Sequence, residues 1–351
     1  MSIISLKSSK KLLYEVSIIR PIIIYLLVFL HSFTKINNGG GIVRDYHLPD
    51  FYQWMCYFIS GFRIETIALV AGYVFSYQCN DLKRSYKFWP FVKKKVHRLI
   101  IPMLFFGTIY YFMFFLSLRP FSIKHFAISI LSGCGHLWFL PMLFWCFLSI
   151  WVIDHYKLSS LRLLFILAFF SLLPLNSLPL GFGRFPHFLF FVYAGYYLWL
   201  KRSFLLQNAL KSSIIFIFII LYFALVIISQ TILCSTYNEL FLNKICYYFV
   251  SSSLRLLMSC CGILSLYLVV CRFVTKEDYK PKQFVINASD NCYGLYVYHQ
   301  FVLVWLYFYS PLYDLCNEYL LPWVGFVITF FLSMLLTRLT LKTKLGTYLI
   351  G

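Results

Sequence analysis

The stretch EVSIIRPIIIYLLVFLHSF, residues 15–33, is apolar for the length of a membrane crossing, yet it carries Arg20 and His31. A span needs about 17–25 such residues, so the segment reads as a transmembrane helix. Arg20 and His31 are eleven residues apart. At about 100° per residue, eleven steps turn just past three full turns, which sets both side chains on one face about 16 Å apart along the axis. Ionisable groups inside an apolar span are costly and persist mainly where they bind, pair or react. A single buried His is often a packing residue, and an Arg near a span end often snorkels to the interface. Two on one face point to function.

The rest of the chain has the same character. It is 61% hydrophobic and 12% charged, with a mean hydropathy of +0.78. Such a composition excludes a water-soluble globule. No stretch is polar enough for a soluble domain, so one all-α, polytopic membrane domain is expected over residues 1–351. MSIISLKSSKK runs straight into the first apolar stretch without a cleavage pattern, so that span is expected to be retained.

Ten spans can be marked, near 16–34, 51–78, 99–118, 137–153, 161–180, 185–200, 212–233, 246–271, 292–310 and 321–341. Lys7, Lys10 and Lys11 precede the first, and Lys83 to Arg98 join the second to the third. Lys157 and Arg162, then Lys201, Arg202 and Lys211, then Arg272, Lys276, Lys280 and Lys282 fill later even-numbered connections. Arg338, Lys342 and Lys344 close the chain. The alternate connections are nearly neutral. Lys and Arg mark the cytoplasmic side, so ten spans with both termini inside are expected. Nine or eleven break the alternation. The setting expected is a multi-pass protein of a bacterial inner or plasma membrane.

The formal charge of +19 is accounted for by this bias and by attraction to anionic lipid headgroups, with no nucleic-acid partner. One run, KRSYKFWPFVKKKVHR at 83–98, is denser than topology requires. It reads as an interfacial segment with Trp89 and Phe91 among the headgroups, as a phosphate-binding cap over a cytoplasmic site, or as both. Eleven cysteines lie mostly within spans and show neither a C-x-x-C pair nor metal-ligand spacing, so no metal site and no disulfide framework are expected. No P-loop, dinucleotide or nucleophile-elbow signature occurs.

Other buried polar residues form a set. Span two carries Arg63 and Glu65 in GFRIETIALVAGY, two apart and so pointing to different sides of the helix. Arg255, in SSSLRLLMS, is the simplest partner for Glu65. His136 opens GHLWFLPMLF, His187 lies early in span six, and His299 lies in NCYGLYVYHQFVLVW. A scaffold or anchor has little reason to accept such groups; a transporter or an intramembrane enzyme does.

Four landmarks, in order along the chain, resemble those of the membrane acyltransferase-3 family. Arg20 to His31 looks like its first-span R-x10-H element. KVHRLIIP, 95–102, is similar to its basic stretch ending in R-L-x-x-P. HLWFL, 136–140, matches its L-W-F-L element, and SDNCYGLYVYHQFV, 289–302, is like its S-x-x-(S/T)-Y-G-I-Y-L-x-H segment. The chain departs from the pattern at Pro21, which stands where the family usually has Gly; a proline there starts or kinks the helix. It departs again at Glu65 and Ala71, near the usual S-G-Y step.

The resemblance implies acyl transfer from a thioester, usually acetyl-CoA, to a hydroxyl on a surface or exported glycan. On that reading His31 is the base that deprotonates the hydroxyl or carries the acyl group itself, and Arg20 binds phosphate or polarises the thioester. Counted from Val16, Arg20 lies about 6 Å and His31 about 22 Å into a core of about 30 Å. This suits a donor entering from the cytoplasm and an acceptor presented outside. Lys94, Lys95 and Arg98 are the expected holders of the donor phosphates. Arg63, Glu65, His136, Trp138, Arg255 and His299 are the expected acceptor-side residues, with Tyr293 and Tyr296 as packing. Acyl-CoA is then a co-substrate rather than a bound cofactor, with membrane lipids as the surroundings. A polysaccharide or small-molecule exporter is the alternative from another class, and an acyltransferase acting on a lipid or metabolite is the alternative within the class.

Overall fold

The computed structural model describes residues 13–34, 48–116, 120–173, 175, 178, 180–235, 241–275 and 279–351. The N-terminal lysines, the connection after the first span with Lys35 and Arg44, and Lys276 lie outside that set. Among the described residues every regular element is helical. In chain order they begin with α1 (Tyr14–Phe33), α2 (Asp50–Ser60), α3 (Arg63–Asn80) and α4 (Phe88–Lys95). A π-helical turn, Val96–Ile100, joins α4 to α5 (Ile101–Phe114), and α6 (Ile123–Leu131) follows. A 3₁₀ turn at Gly135–Trp138 opens α7 (Phe139–His155); α8 (Leu161–Phe170), α9 (Phe185–Leu200) and α10 (Arg202–Ala209) come next. The chain ends with α11 (Ser212–Ser235), α12 (Phe241–Val274), α13 (Gln283–Tyr309), α14 (Leu312–Leu315), α15 (Leu321–Leu341) and α16 (Lys344–Ile350).

Among the described residues, seven helical stretches are long and apolar enough to cross a membrane: Tyr14–Phe33, Asp50–Asn80, Phe88–Phe114, Gly135–His155, Ser212–Thr231, Cys246–Val274 and Leu321–Leu341. The other three expected spans are helical but differ. α8 has 10 residues and α9 has 16, while the 27 residues of α13 begin in the polar run QFVINASDN. The first span starts at Tyr14 and carries Pro21 inside it, so proline does not set its start.

Span two is two helices, broken at Gly61 and Phe62. A broken helix leaves carbonyls that must be bonded from elsewhere when no water is at hand. Ser259 of α12 donates to the Gly61 carbonyl at 2.6 Å, and Tyr222 of α11 donates to that of Phe58. These neighbours come so close that a Cβ on Gly61 would meet the Tyr222 hydroxyl at 2.8 Å and Met258 Cε at 2.9 Å. The break makes Arg63 the first residue of α3.

Helix directions follow from paired contacts. α3 and α9 cross in parallel where Gly72 and Gly195 meet: a Cβ on Gly72 would lie 1.8 Å from the Val192 carbonyl oxygen, and one on Gly195 1.9 Å from that of Leu69. Small residues let backbones approach in this way. α7 is parallel to α9, with Phe139 against Phe188 at one end (ring centres 5.8 Å apart) and Tyr196 donating to Asp154 at 2.6 Å at the other. The connection between them, which includes α8, therefore returns along the bundle. α15 runs antiparallel to α1, pairing Tyr25 with Phe330 and Phe29 with Trp323.

At the start of α1, buried Glu15 accepts from Tyr73 at 2.6 Å and pairs with Arg202 at 3.0 Å, tying α1, α3 and α10. Burial opposes the Arg202 charge, but Tyr73 and Glu15 outweigh it and hold its pKa above the ordinary arginine value. In the basic run, Trp89 is 69% exposed as an interfacial residue should be, whereas Phe91 is 2% exposed and packs on Phe75 and Tyr86. Phe91 belongs to the core, not to the headgroups.

Candidate functional site

His31, in the last turn of α1, opens onto a cavity of about 410 Å³ that His136, His299, Tyr110, Tyr296, Trp138 and Gln300 also line. The three histidines come from three distant segments. The ring centre of His299 is 5.3 Å from that of His31 and 4.9 Å from that of His136. His136 sits in the 3₁₀ turn, which two left-handed glycines make possible: Gly133 has φ 78° and Gly135 φ 62°. A side chain at Gly133 would place its Cβ 2.5 Å from Trp138 Cα.

Backbone carbonyls fix the tautomers of two of these rings. His299 Nδ1 lies 2.7 Å from the Tyr296 oxygen, and His136 Nε2 lies 2.9 Å from the Val297 oxygen. A carbonyl only accepts, so each of these nitrogens carries the proton. The opposite nitrogens, His299 Nε2 and His136 Nδ1, are left with lone pairs and are buried without a hydrogen-bond partner, as is Gln300 Oε1. Such an arrangement of bare imidazole nitrogens suits proton acceptance.

Arg63 is the charged residue nearest this cluster in effect. It is 5% exposed, donates from Nη1 to the Leu27 carbonyl at 3.4 Å, and acts electrostatically on both His31 and His299. Glu65 does not pair with Arg255. Its carboxylate is 3.4 Å from His187 Nε2 on α9, while Arg255 is exposed on α12. The two-residue offset that separates Arg63 from Glu65 sends them to different helices. At the rim, exposed Arg184 stacks on Trp138, its guanidinium carbon 3.9 Å from the ring centre. Burial lowers the Arg184 pKa from the ordinary arginine value.

A second cluster lies at the other end of α1. Arg20 is exposed there, and its electrostatic neighbours are Arg98 of the π-helical turn and Asp290 of α13. Lys94 and Lys95 face elsewhere: Lys95 Nζ is 3.1 Å from the centre of the Phe147 ring, and Lys94 Nζ 5.6 Å from that of Tyr86. Of the three basic residues expected at a donor site, Arg98 is the one whose charge acts on Arg20.

α13 connects the two ends. Asp290, Tyr293, Tyr296 and His299 recur every three residues, a ridge that drifts about 60° per step and so winds half-way round the helix from Asp290 to His299. Tyr293 donates to the Arg98 carbonyl at 3.1 Å, and Tyr296 donates to the His136 carbonyl at 2.7 Å. Tyr296 also lines the cavity, while Tyr293 braces the turn that carries Arg98. Their spacing from His299 was legible in SDNCYGLYVYH; Tyr110, Gln300 and Arg184 had no sequence signal of that kind. Among the described residues, no group of three His, Cys, Asp or Glu is placed to hold a metal ion.

A family model described as an acyltransferase domain matches residues 13–341, nearly the whole length. No curated protein and no solved structure matches the chain.

Proposed function

Because the chain belongs to this acyltransferase-domain family and is a multi-pass membrane acyltransferase, we propose that it moves an acetyl group from acetyl-CoA in the cytoplasm to a hydroxyl of a cell-surface or exported glycan. The observation that carries this reading is the pairing of two parallel helices. At one end Arg20 of α1 feels the charges of Asp290 on α13 and of Arg98 on the π-helical turn, and at the other His31 of α1 lies beside His299 of α13. Eleven residues separate those ends on α1, about 16 Å, which a pantetheine arm spans.

The chemistry follows from the residues. Arg20 and Arg98 hold the phosphates of the donor with charge-assisted hydrogen bonds. The thioester then reaches the cavity, where His31 removes the proton from the acceptor hydroxyl. Arg63 supplies a fixed positive charge from the wall as negative charge develops on the carbonyl oxygen. Trp138, Tyr110 and Tyr296 offer flat faces for a sugar ring, and Gln300 an acceptor for one of its hydroxyls. Glu65 with His187 braces the wall behind Arg63.

The same reading places both termini in the cytoplasm and counts ten crossings of a bacterial cell membrane. Support comes from the alternation of Lys and Arg and from the helix directions: α3, α7 and α9 run together, and α15 opposes α1. The short α8 completes its crossing with the residues that follow it.

Calorimetry on the purified protein in detergent tests the donor site. Acetyl-CoA should bind, dephospho-CoA more weakly, and Arg98→Ala should weaken acetyl-CoA binding about tenfold, the worth of one charge-assisted hydrogen bond. Preparations that form product yet show no affinity for acetyl-CoA would overturn the donor assignment. Comparing the ester content of surface polysaccharide with and without the protein tests the acceptor; unchanged ester content counts against a glycan.

A further inference from the structure

His299 is 0% exposed, and its Nδ1–H is committed to the Tyr296 carbonyl at 2.7 Å. Its Nε2 therefore carries a lone pair, buried and without a hydrogen-bond partner. A buried acceptor left bare is costly, because folding has stripped it of water and supplied nothing in exchange. Two rings are near enough to matter. His136 is 4.9 Å away, but its N–H is spent on the Val297 carbonyl and its free nitrogen is another acceptor, so it has nothing to offer. His31 is the remaining ring of the cluster. An imidazole nitrogen lies about 1.1 Å from its ring centre and an N–H···N bond is about 2.9 Å long, so two bonded rings have centres about 5 Å apart. His31 and His299 are 5.3 Å apart with planes 33° from parallel. That separation is close to the bonded one.

We propose that His31 and His299 form a dyad in which His299 Nε2 accepts the N–H of His31 and so orients His31 as the base. His299 is then a positioning residue, and the assignment rests on the acyl-transfer reading above. The acceptor O–H bond breaks as its oxygen bonds to the thioester carbon, and the proton passes to one nitrogen of His31. The opposite N–H of His31 stays hydrogen-bonded to His299, which favours the imidazolium so formed. The C–S bond then breaks, and the proton goes from His31 to the leaving thiolate.

The competing role for His299 is structural: holding the Tyr296 carbonyl through Nδ1–H. Two substitutions separate the roles, because each amide reproduces one side of the ring. His299→Gln keeps an acceptor near the Nε2 position; His299→Asn keeps a donor near Nδ1. With both variants inserted and monodisperse in detergent, the dyad requires kcat to fall about tenfold further in His299→Asn than in His299→Gln, the KM for acyl-CoA changing less than about twofold. Equal activities, or an Asn variant better than the Gln variant, would overturn the dyad and leave the structural role. The wild-type protein gives a readout free of substitution. With histidine labelled in ¹⁵N, a through-bond N–N coupling between His31 and His299 is expected in the acyl-CoA complex, and its absence overturns the dyad. His31→Ala separates the levels: if that variant still forms product, the base assignment itself falls, whatever His299 does.

Discussion

At the residue scale, the proposed reaction path has its two ends on side chains of the first helix. His31 faces the cavity and Arg20 lies beside Arg98, with Asp290 as its acidic neighbour. His31→Ala should remove product formation by about a hundredfold or more, the usual worth of a general base, while leaving insertion intact. Arg20→Ala should be severely impaired and Arg20→Lys only partly spared, since an ammonium offers a point charge where a guanidinium offers a fork. Initial rates over a range of acyl-CoA concentrations, set against the amount of inserted protein, check both; a well-expressed His31→Ala variant with normal turnover excludes His31 as the base. Both residues were legible because polar groups stand out inside EVSIIRPIIIYLLVFLHSF. The partners of Glu65 were not. Periodicity says which side of a helix a residue faces but not which helix lies there, and so the opposite charge of Arg255 made it the simplest partner.

At the element scale, the site depends on places where helices are broken or pressed together. The Gly61–Phe62 break sets Arg63 at the head of α3, and the Gly72–Gly195 crossing holds α3 on α9, which brings His187 to Glu65. Gly72→Ala should lower stability by about 3 kcal/mol, the upper end for overpacking, because its Cβ would lie 1.8 Å from a backbone oxygen that cannot swing aside. Gly107 is the control. A Cβ there meets Ile130 Cδ1 at 3.5 Å and Cys134 Cβ at 3.7 Å, ordinary contacts, so Gly107→Ala should be near neutral. Thermal midpoints in detergent decide; equal shifts would mean the crossing is looser than described. Hydropathy showed where apolar helices lie but not these breaks and crossings, since a glycine in an apolar run looks the same whether it packs against lipid or against a carbonyl. The π-helical turn that carries Arg98 was hidden for the same reason: a basic, aromatic run reads as an interface whatever its hydrogen-bond ladder.

At the scale of the whole molecule, the proposed function requires that the end of α1 with Arg20 meet the cytoplasm and the histidine end meet the other side. Acyl-CoA is made in the cytoplasm in this scheme, and Arg20 and Arg98 are both exposed to receive it. The charge alternation assigns that end inward. It also requires the link from α7 to α9 to recross, since those two helices are parallel and share an end through Tyr196 and Asp154. A reporter fused after Lys344 should therefore read cytoplasmic, and one inserted at Asn38, outside the described residues, should read exterior. One placed in the 156–160 connection, where Lys157 lies, should match the first. A reporter there that reads exterior would put α7 and the Asp154 end on the wrong face, and the donor could not then enter beside Arg20. Accessibility of single cysteines to an impermeant thiol reagent gives the same answer without a bulky fusion. A cysteine at Lys157 should be labelled only from the cytoplasmic side, and one at Arg184 only from the exterior, on the rim where Trp138 meets the acceptor.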